Sequence, residues 1–164
     1  VEWRADLWHL IKNTPHLDWL LLTKRPQNIA KMLPPGWGAR GWPNVWLGTT
    51  VENQTEADRR IPSLLATPAA VRFLSCEPLL GPLDLSAHYL NPQGFTETPR
   101  WIIVGSESGP GARPCDLAWV RAIRDQCTVA STALFWKQHA EGGRKISTPK
   151  LDGQTWTEFP QITA

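Results

Sequence analysis

The chain has 164 residues, 41% of them hydrophobic, which is the size and apolar content of one domain with a proper core. Its formal net charge of +2 excludes any broad electrostatic case for nucleic acid or an anionic membrane, so an anion site has to be local. Three cysteines without a C-x-x-C pair argue against a disulfide framework or a four-thiolate metal site.

In chain order, Glu2 to Asn13 reads as a helix within an N-terminal helical segment over residues 1–17, and Asp18 to Thr23 as a strand. A helix over Pro26 to Leu33, a strand over Asn44 to Thr50 and a helix over Gln54 to Ala66 follow, the last opened by Asn53 with Glu56 three residues on. Val71 to Cys76 is a third strand, and residues 84–99 collect turn formers in a loop excursion. Arg100 to Gly105 is a fourth strand. Pro114 to Ala130 is a helix with Leu117, Val120, Ile123 and Cys127 on one stripe, and Ala133 to Gln138 is a fifth strand. Residues 141–164 read as an irregular tail, with Trp156 and Phe159 tucking it against the body.

None of the five strands alternates between apolar and polar, which is the pattern of parallel strands buried on both faces. Their starts recur at intervals of roughly 30 residues, about one βα unit each. The expected fold is a single α/β domain over residues 1–164, a mostly parallel sheet of about five βα units arranged as a partial (β/α) barrel or an open, doubly wound sheet.

Such folds bind ligands at the carboxyl ends of their strands. The residues found there are Thr23, Lys24 and Arg25; Thr49, Glu52 and Asn53; Ser75, Cys76 and Glu77; Gly105, Glu107 and Ser108; and Lys137 and Gln138. One geometric expectation follows: Lys24, Glu52, Glu77, Glu107 and Lys137 share a mouth, with Glu77, Lys24 and Lys137 the candidate catalytic groups. Lys24 and Lys137 are pocket cations, Schiff-base lysines or partners in ion pairs.

After the fourth strand, GSESGPGARP supplies Gly105, Gly109, Gly111 and Arg113 for an anion cradle or a structural tight turn. Glu107 inside it suits a ribose hydroxyl, an amine or a metal better than phosphate. Cys76 has no placed histidine to activate it, which favours a buried structural thiol over a nucleophile. No metal-ligand spacing occurs, and the ten tryptophans fit packing better than base stacking without a basic groove.

The motifs LLLTKRP, NVWLGTTVEN, RFLSCEPLLGPLDL, WIIVGSESGPGARP with WVRAIRDQC, FWKQ and LDGQTWTEFP, in that order, resemble a phage-associated bacterial family of unknown function. The resemblance covers nearly the whole chain. Full-length members of that family look like radical S-adenosylmethionine proteins, with an upstream three-cysteine motif holding an iron–sulfur cluster on a (β/α) barrel. This chain begins downstream of that motif, and Cys76, Cys115 and Cys127 are too dispersed to replace it, so no cluster and no competent radical enzyme are expected of it alone. The resemblance implies that the strand-end residues named above face an S-adenosylmethionine-like ligand or a substrate.

The expected function is thus the C-terminal portion of a radical-SAM-like barrel with a polar pocket. A non-catalytic nucleotide-like or protein-binding module is the first alternative, and a nucleic-acid-associated factor of a mobile element the second. Because an open sheet leaves an edge uncovered, a homodimer across it or a cover from the Glu2 to Asn13 helix is expected. Reduced thiols, short apolar runs and no leader at the start of the sequence point to a cytoplasmic, non-membrane setting.

Overall fold

The computed structural model describes residues 2–85, 98–141 and 144–161. Most of the 84–99 segment, with His88, lies outside the described residues. Five strands run parallel: β1 (Trp19–Thr23), β2 (Val45–Thr50), β3 (Val71–Cys76), β4 (Trp101–Gly105) and β5 (Ala133–Glu141). A sixth, β6 (Arg144–Ser147), returns antiparallel along the upper part of β5. Spatial order follows chain order from β1 to β6, and the sheet curls into a half-barrel.

The side-chain period of two divides the sheet into two faces. Val45, Leu47, Leu74, Cys76, Ile102, Val104, Leu134 and Trp136 join the helices α1 (Glu2–Asn13), α2 (Gln54–Leu65) and α3 (Leu117–Ala130) in one core. Trp46, Val71, Phe73 and Trp101 form a second, smaller cluster with Ile103, Ala133 and Phe135 on the opposite face. Among the described residues the helices lie on one face only and neighbouring strands are consecutive in sequence, which is the arrangement of a half-barrel and not of the doubly wound alternative.

The described residues do not show five βα units. Among the described residues, α-helices join β2 to β3 and β4 to β5, whereas the β1–β2 connection holds only a 3₁₀ segment, Pro26–Met32, where a full helix was expected. Its flanks explain this: Arg25 gives no side-chain cap, and Pro34–Pro35 block continuation after seven residues. The N-terminal helix stops at Asn13, four residues short of the segment expected to hold it, with Thr14 bonding back to the Leu10 carbonyl. Asn53 caps α2 as expected, its Oδ1 accepting from the Glu56 N–H, and α3 starts at Leu117, three residues after the expected Pro114, where Asp116 Oδ1 accepts from the Ala118 N–H.

The tail is not irregular throughout. Besides β6 it contains a small hairpin, β7 (Lys150–Leu151) and β8 (Gln154–Thr155). Beyond this hairpin the chain runs back along the lower part of β5, the Trp136 N–H donating to the Trp156 carbonyl and the Glu158 N–H to the Leu134 carbonyl. Phe159 then stacks on Trp101 at 4.9 Å, as the sequence led one to expect of a tucked tail. The tryptophans act as packing anchors: Trp8, Trp37 and Trp42 meet within 5.8 Å of one another, and Trp136 is fully buried.

Gly48 has a steric role on the concave face. A Cβ there would lie 2.3 Å from the Phe73 ring, so only glycine lets that ring lie flat across β2. The aromatic cluster thereby occupies the lower part of the concave face, below a cavity.

Candidate functional site

The cavity measures about 530 Å³ and lies at the carboxyl ends of the strands. Its apolar wall is Leu20, Leu22, Phe73, Ile103 and Phe135, with Trp101 and Phe159 below. Its polar rim is Ser75, Glu77, Lys137 and Gln138, completed by Lys145, Ser147 and Thr148 from β6 and the turn after it. A larger hollow of about 880 Å³ opens at the other end of β5, but its charged groups are engaged in holding the tail: Arg100 donates to the Gln161 carbonyl, and Glu158 accepts from the Leu134 N–H.

The expected single mouth resolves into three ion pairs. Glu77 and Lys137 meet across the cavity at 2.9 Å. A β-bulge makes this geometry: Val104 pairs with Trp136 but Gly105 with Gln138, so Lys137 is the extra residue. Gly105 provides the room, since a Cβ there would sit 3.0 Å from the Glu77 carboxyl carbon. The Glu77–Pro78 peptide is cis. Gln138 turns inward and donates to the Ser106 carbonyl at 2.9 Å, while Ser106 Oγ accepts from the Ala140 N–H at 2.7 Å.

The second pair lies at the ends of β1 and β2. Glu52 is buried and receives Lys24 on one oxygen and Arg60 on the other, the latter at 2.6 Å. Arg60, also buried, donates to the Thr50 carbonyl at 2.7 Å and pairs with Glu56. Burial pushes the Glu52 carboxyl up, but the Lys24 hydrogen bond, its own backbone N–H and the Arg60 charge outweigh that and hold it below the usual range. Thr49 Oγ1 donates to the Thr23 carbonyl, the Arg25 N–H donates to Thr23 Oγ1, and Asn53 is spent on its helix cap. None of these residues lines the cavity.

Glu107 makes the third pair, with Arg113 at 2.7 Å and with the Arg113 backbone N–H. That closes the Gly109–Gly111 loop on itself, both glycines at positive φ and Ser108 exposed at the surface. The Arg113 bonds hold the Glu107 carboxyl down at about 2, and Glu107 is thereby engaged within the loop itself.

Ser75 lines the cavity, whereas Cys76 points into the helix-side core, fully buried, because neighbours on a strand face opposite ways. Cys76 thus leaves the ligand-binding set. Burial pushes its thiol strongly up, and that of Cys127 to about 12 and Cys115 to about 11. Protonated, buried thiols do not suit an iron–sulfur cluster, and no group of three or more His, Cys, Asp or Glu among the described residues is placed to hold a metal ion.

A family model described as "Protein of unknown function (DUF5131)" matches residues 1–160. The chain belongs to the DUF5131 family. No curated protein and no solved structure matches it. No helix of this DUF5131 chain, among the described residues, is long and apolar enough to cross a membrane.

Sequence reasoning on this DUF5131 chain missed the β6 contribution of Lys145, Ser147 and Thr148 and the aromatic wall. It also missed Asp152, in the turn between β7 and β8, which clamps Arg121 at 2.8 Å and Arg124 at 2.7 Å on α3. Those hydrogen bonds lower the Asp152 carboxyl from 3.8 to about 2. A carboxylate whose folded pKa is depressed contributes stability above its unfolded pKa and loses it as pH falls through the folded one. Melting temperature is therefore expected to fall between about pH 4 and pH 2, more gently in Asp152→Asn. Acid scans of the two proteins that superimpose, after normalising to neutral pH, would show that the clamp contributes nothing.

Proposed function

We propose that the chain is the C-terminal portion of a radical-SAM-like barrel from a phage or mobile-element-associated family, and that its concave cavity holds a nucleoside-like small molecule such as S-adenosylmethionine. The observation that carries this is the placing of Ser75, Glu77, Lys137 and Gln138 above an aromatic floor at the carboxyl ends of parallel strands. The volume is that of a small-molecule site. Phe73 and Phe135 suit a flat heterocycle. Glu77 accepts from an amine or ribose hydroxyl, and Lys137 with the hydroxyls of Ser147 and Thr148 takes a carboxylate or phosphate.

In this reading Glu77 and Lys137 hold each other in place until the ligand's own charges divide the pair between them. Lys24 serves Glu52 and the β1–β2 ends instead. The three buried thiols favour binding without turnover by this chain, since none offers a nucleophile or a cluster ligand.

A thermal-shift series with S-adenosylmethionine, S-adenosylhomocysteine, adenosine and AMP tests the reading. A ligand at 100 times its dissociation constant stabilises the fold by about 2.7 kcal/mol, and Glu77→Gln and Lys137→Met should each remove most of that shift while melting normally without ligand. Millimolar concentrations of all four without any shift would refute the pocket. A shift that survives both substitutions would place binding elsewhere.

A further inference from the structure

Two side chains of the cavity are almost fully buried and still have hydrogen bonds to give. Ser75 is 5% exposed and Gln138 4%, whereas Lys137 is half exposed and Lys145 and Ser147 stand out at the rim. The Ser75 hydroxyl has no partner among the described residues. Gln138 is half spent: its Nε2 donates to the Ser106 carbonyl at 2.9 Å. A carbonyl only accepts, so the amide nitrogen is fixed on that side and Oε1, which has no partner among the described residues, on the other. Ser106 does not yield, because its own N–H donates to the Gln138 carbonyl and its Oγ accepts from the Ala140 N–H.

Strand register sets both groups beside the aromatic wall. Ser75 pairs with Ile103 and Ile103 with Phe135, so the hydroxyl lies in the row of the Phe135 ring, while Gln138 pairs with Gly105 one step further along. A flat heterocycle laid against Phe73 and Phe135 turns its polar edge to these two residues and leaves its charged substituents to Lys137 and the β6 rim. The fixed amide decides which edge suits. An acceptor beside a hydroxyl, which donates or accepts as needed, matches an exocyclic amine next to a bare ring nitrogen. A keto oxygen next to a ring N–H would set oxygen against oxygen.

We propose that Gln138 and Ser75 are the specificity-determining pair of this cavity, and that its ligand carries an amino-substituted heterocycle of the adenine kind in preference to a keto one. The proposal rests on the nucleoside reading of the cavity given above.

Titration calorimetry with adenosine against inosine and AMP against IMP, together with purine riboside, is the test. Exchanging amine for keto oxygen should weaken binding at least about tenfold, because a buried acceptor is left facing another. Purine riboside, which lacks the substituent, should fall between. Gln138→Met should bring the two members of each pair to equal affinity, whereas a merely structural role would weaken both alike and keep their ratio. The comparison of compounds on the unmodified chain holds whether or not that variant folds. Ser75→Ala removes a hydroxyl that supports nothing in the fold, so it should melt no lower than the unmodified chain while binding adenosine about tenfold more weakly. Equal affinity for the amino and keto members of each pair overturns the proposal and leaves the nucleoside reading in place. So does a ratio unchanged by Gln138→Met, or an adenosine affinity unchanged by Ser75→Ala. Binding by none of these compounds at millimolar concentration refutes the nucleoside reading and the proposal with it.

Discussion

Arg60→Ala is expected to lower stability by about 3–5 kcal/mol, because it strands the buried Glu52 carboxylate that Arg60 pairs with at 2.6 Å. Lys24 remains, but it is mostly exposed and cannot replace the bond Arg60 also makes to the Thr50 carbonyl. The loss is a large share of a domain's total stability of about 5–15 kcal/mol. Pairing Arg60→Met with Glu52→Gln removes both charges together and should recover much of the difference, since the cost comes from an uncompensated buried charge and not from missing attraction. Urea titration of the two proteins checks this: equal midpoints would mean that the ion pair is not what the substitution breaks.

Trp136→Ala should cost a similar amount, about 3–5 kcal/mol for a large buried aromatic cut to a methyl. Trp136 is fully buried on the helix side of β5, and its indole Nε1 has no hydrogen-bond partner among the described residues. Trp136→Phe is therefore expected to be much milder, as it keeps most of the ring volume and removes a donor that burial leaves unsatisfied. Calorimetric melting of both variants decides it; a phenylalanine variant as unstable as the alanine one would mean the indole N–H is bonded after all.

The parallel core was legible because burial on both faces removes polar interruptions from a strand. VWLGTT, VRFLSC and WIIVG stand out against their loops for that reason. β6 was not, because Arg144–Ser147 is exposed along its whole length and its pattern carries no hydrophobic signal. The Gly142–Gly143 dipeptide was the available hint, being a hairpin signal in its own right.

Strand-end residues could likewise be identified but not sorted. Which carboxylate meets which base depends on the bulge at Lys137 and on the reach of Arg60 from α2. Neither is written in local periodicity. Cys76 shows the limit most plainly: the period of two says that it and Ser75 diverge, and only the placing of the helices says which of them enters the cavity.

Phe73 lying across Gly48 makes two positions on neighbouring strands interdependent. A methyl group at residue 48 would need the space the ring at residue 73 occupies, so a larger side chain at the first is compatible with this packing only if the second becomes smaller, and the two sites are expected to vary together.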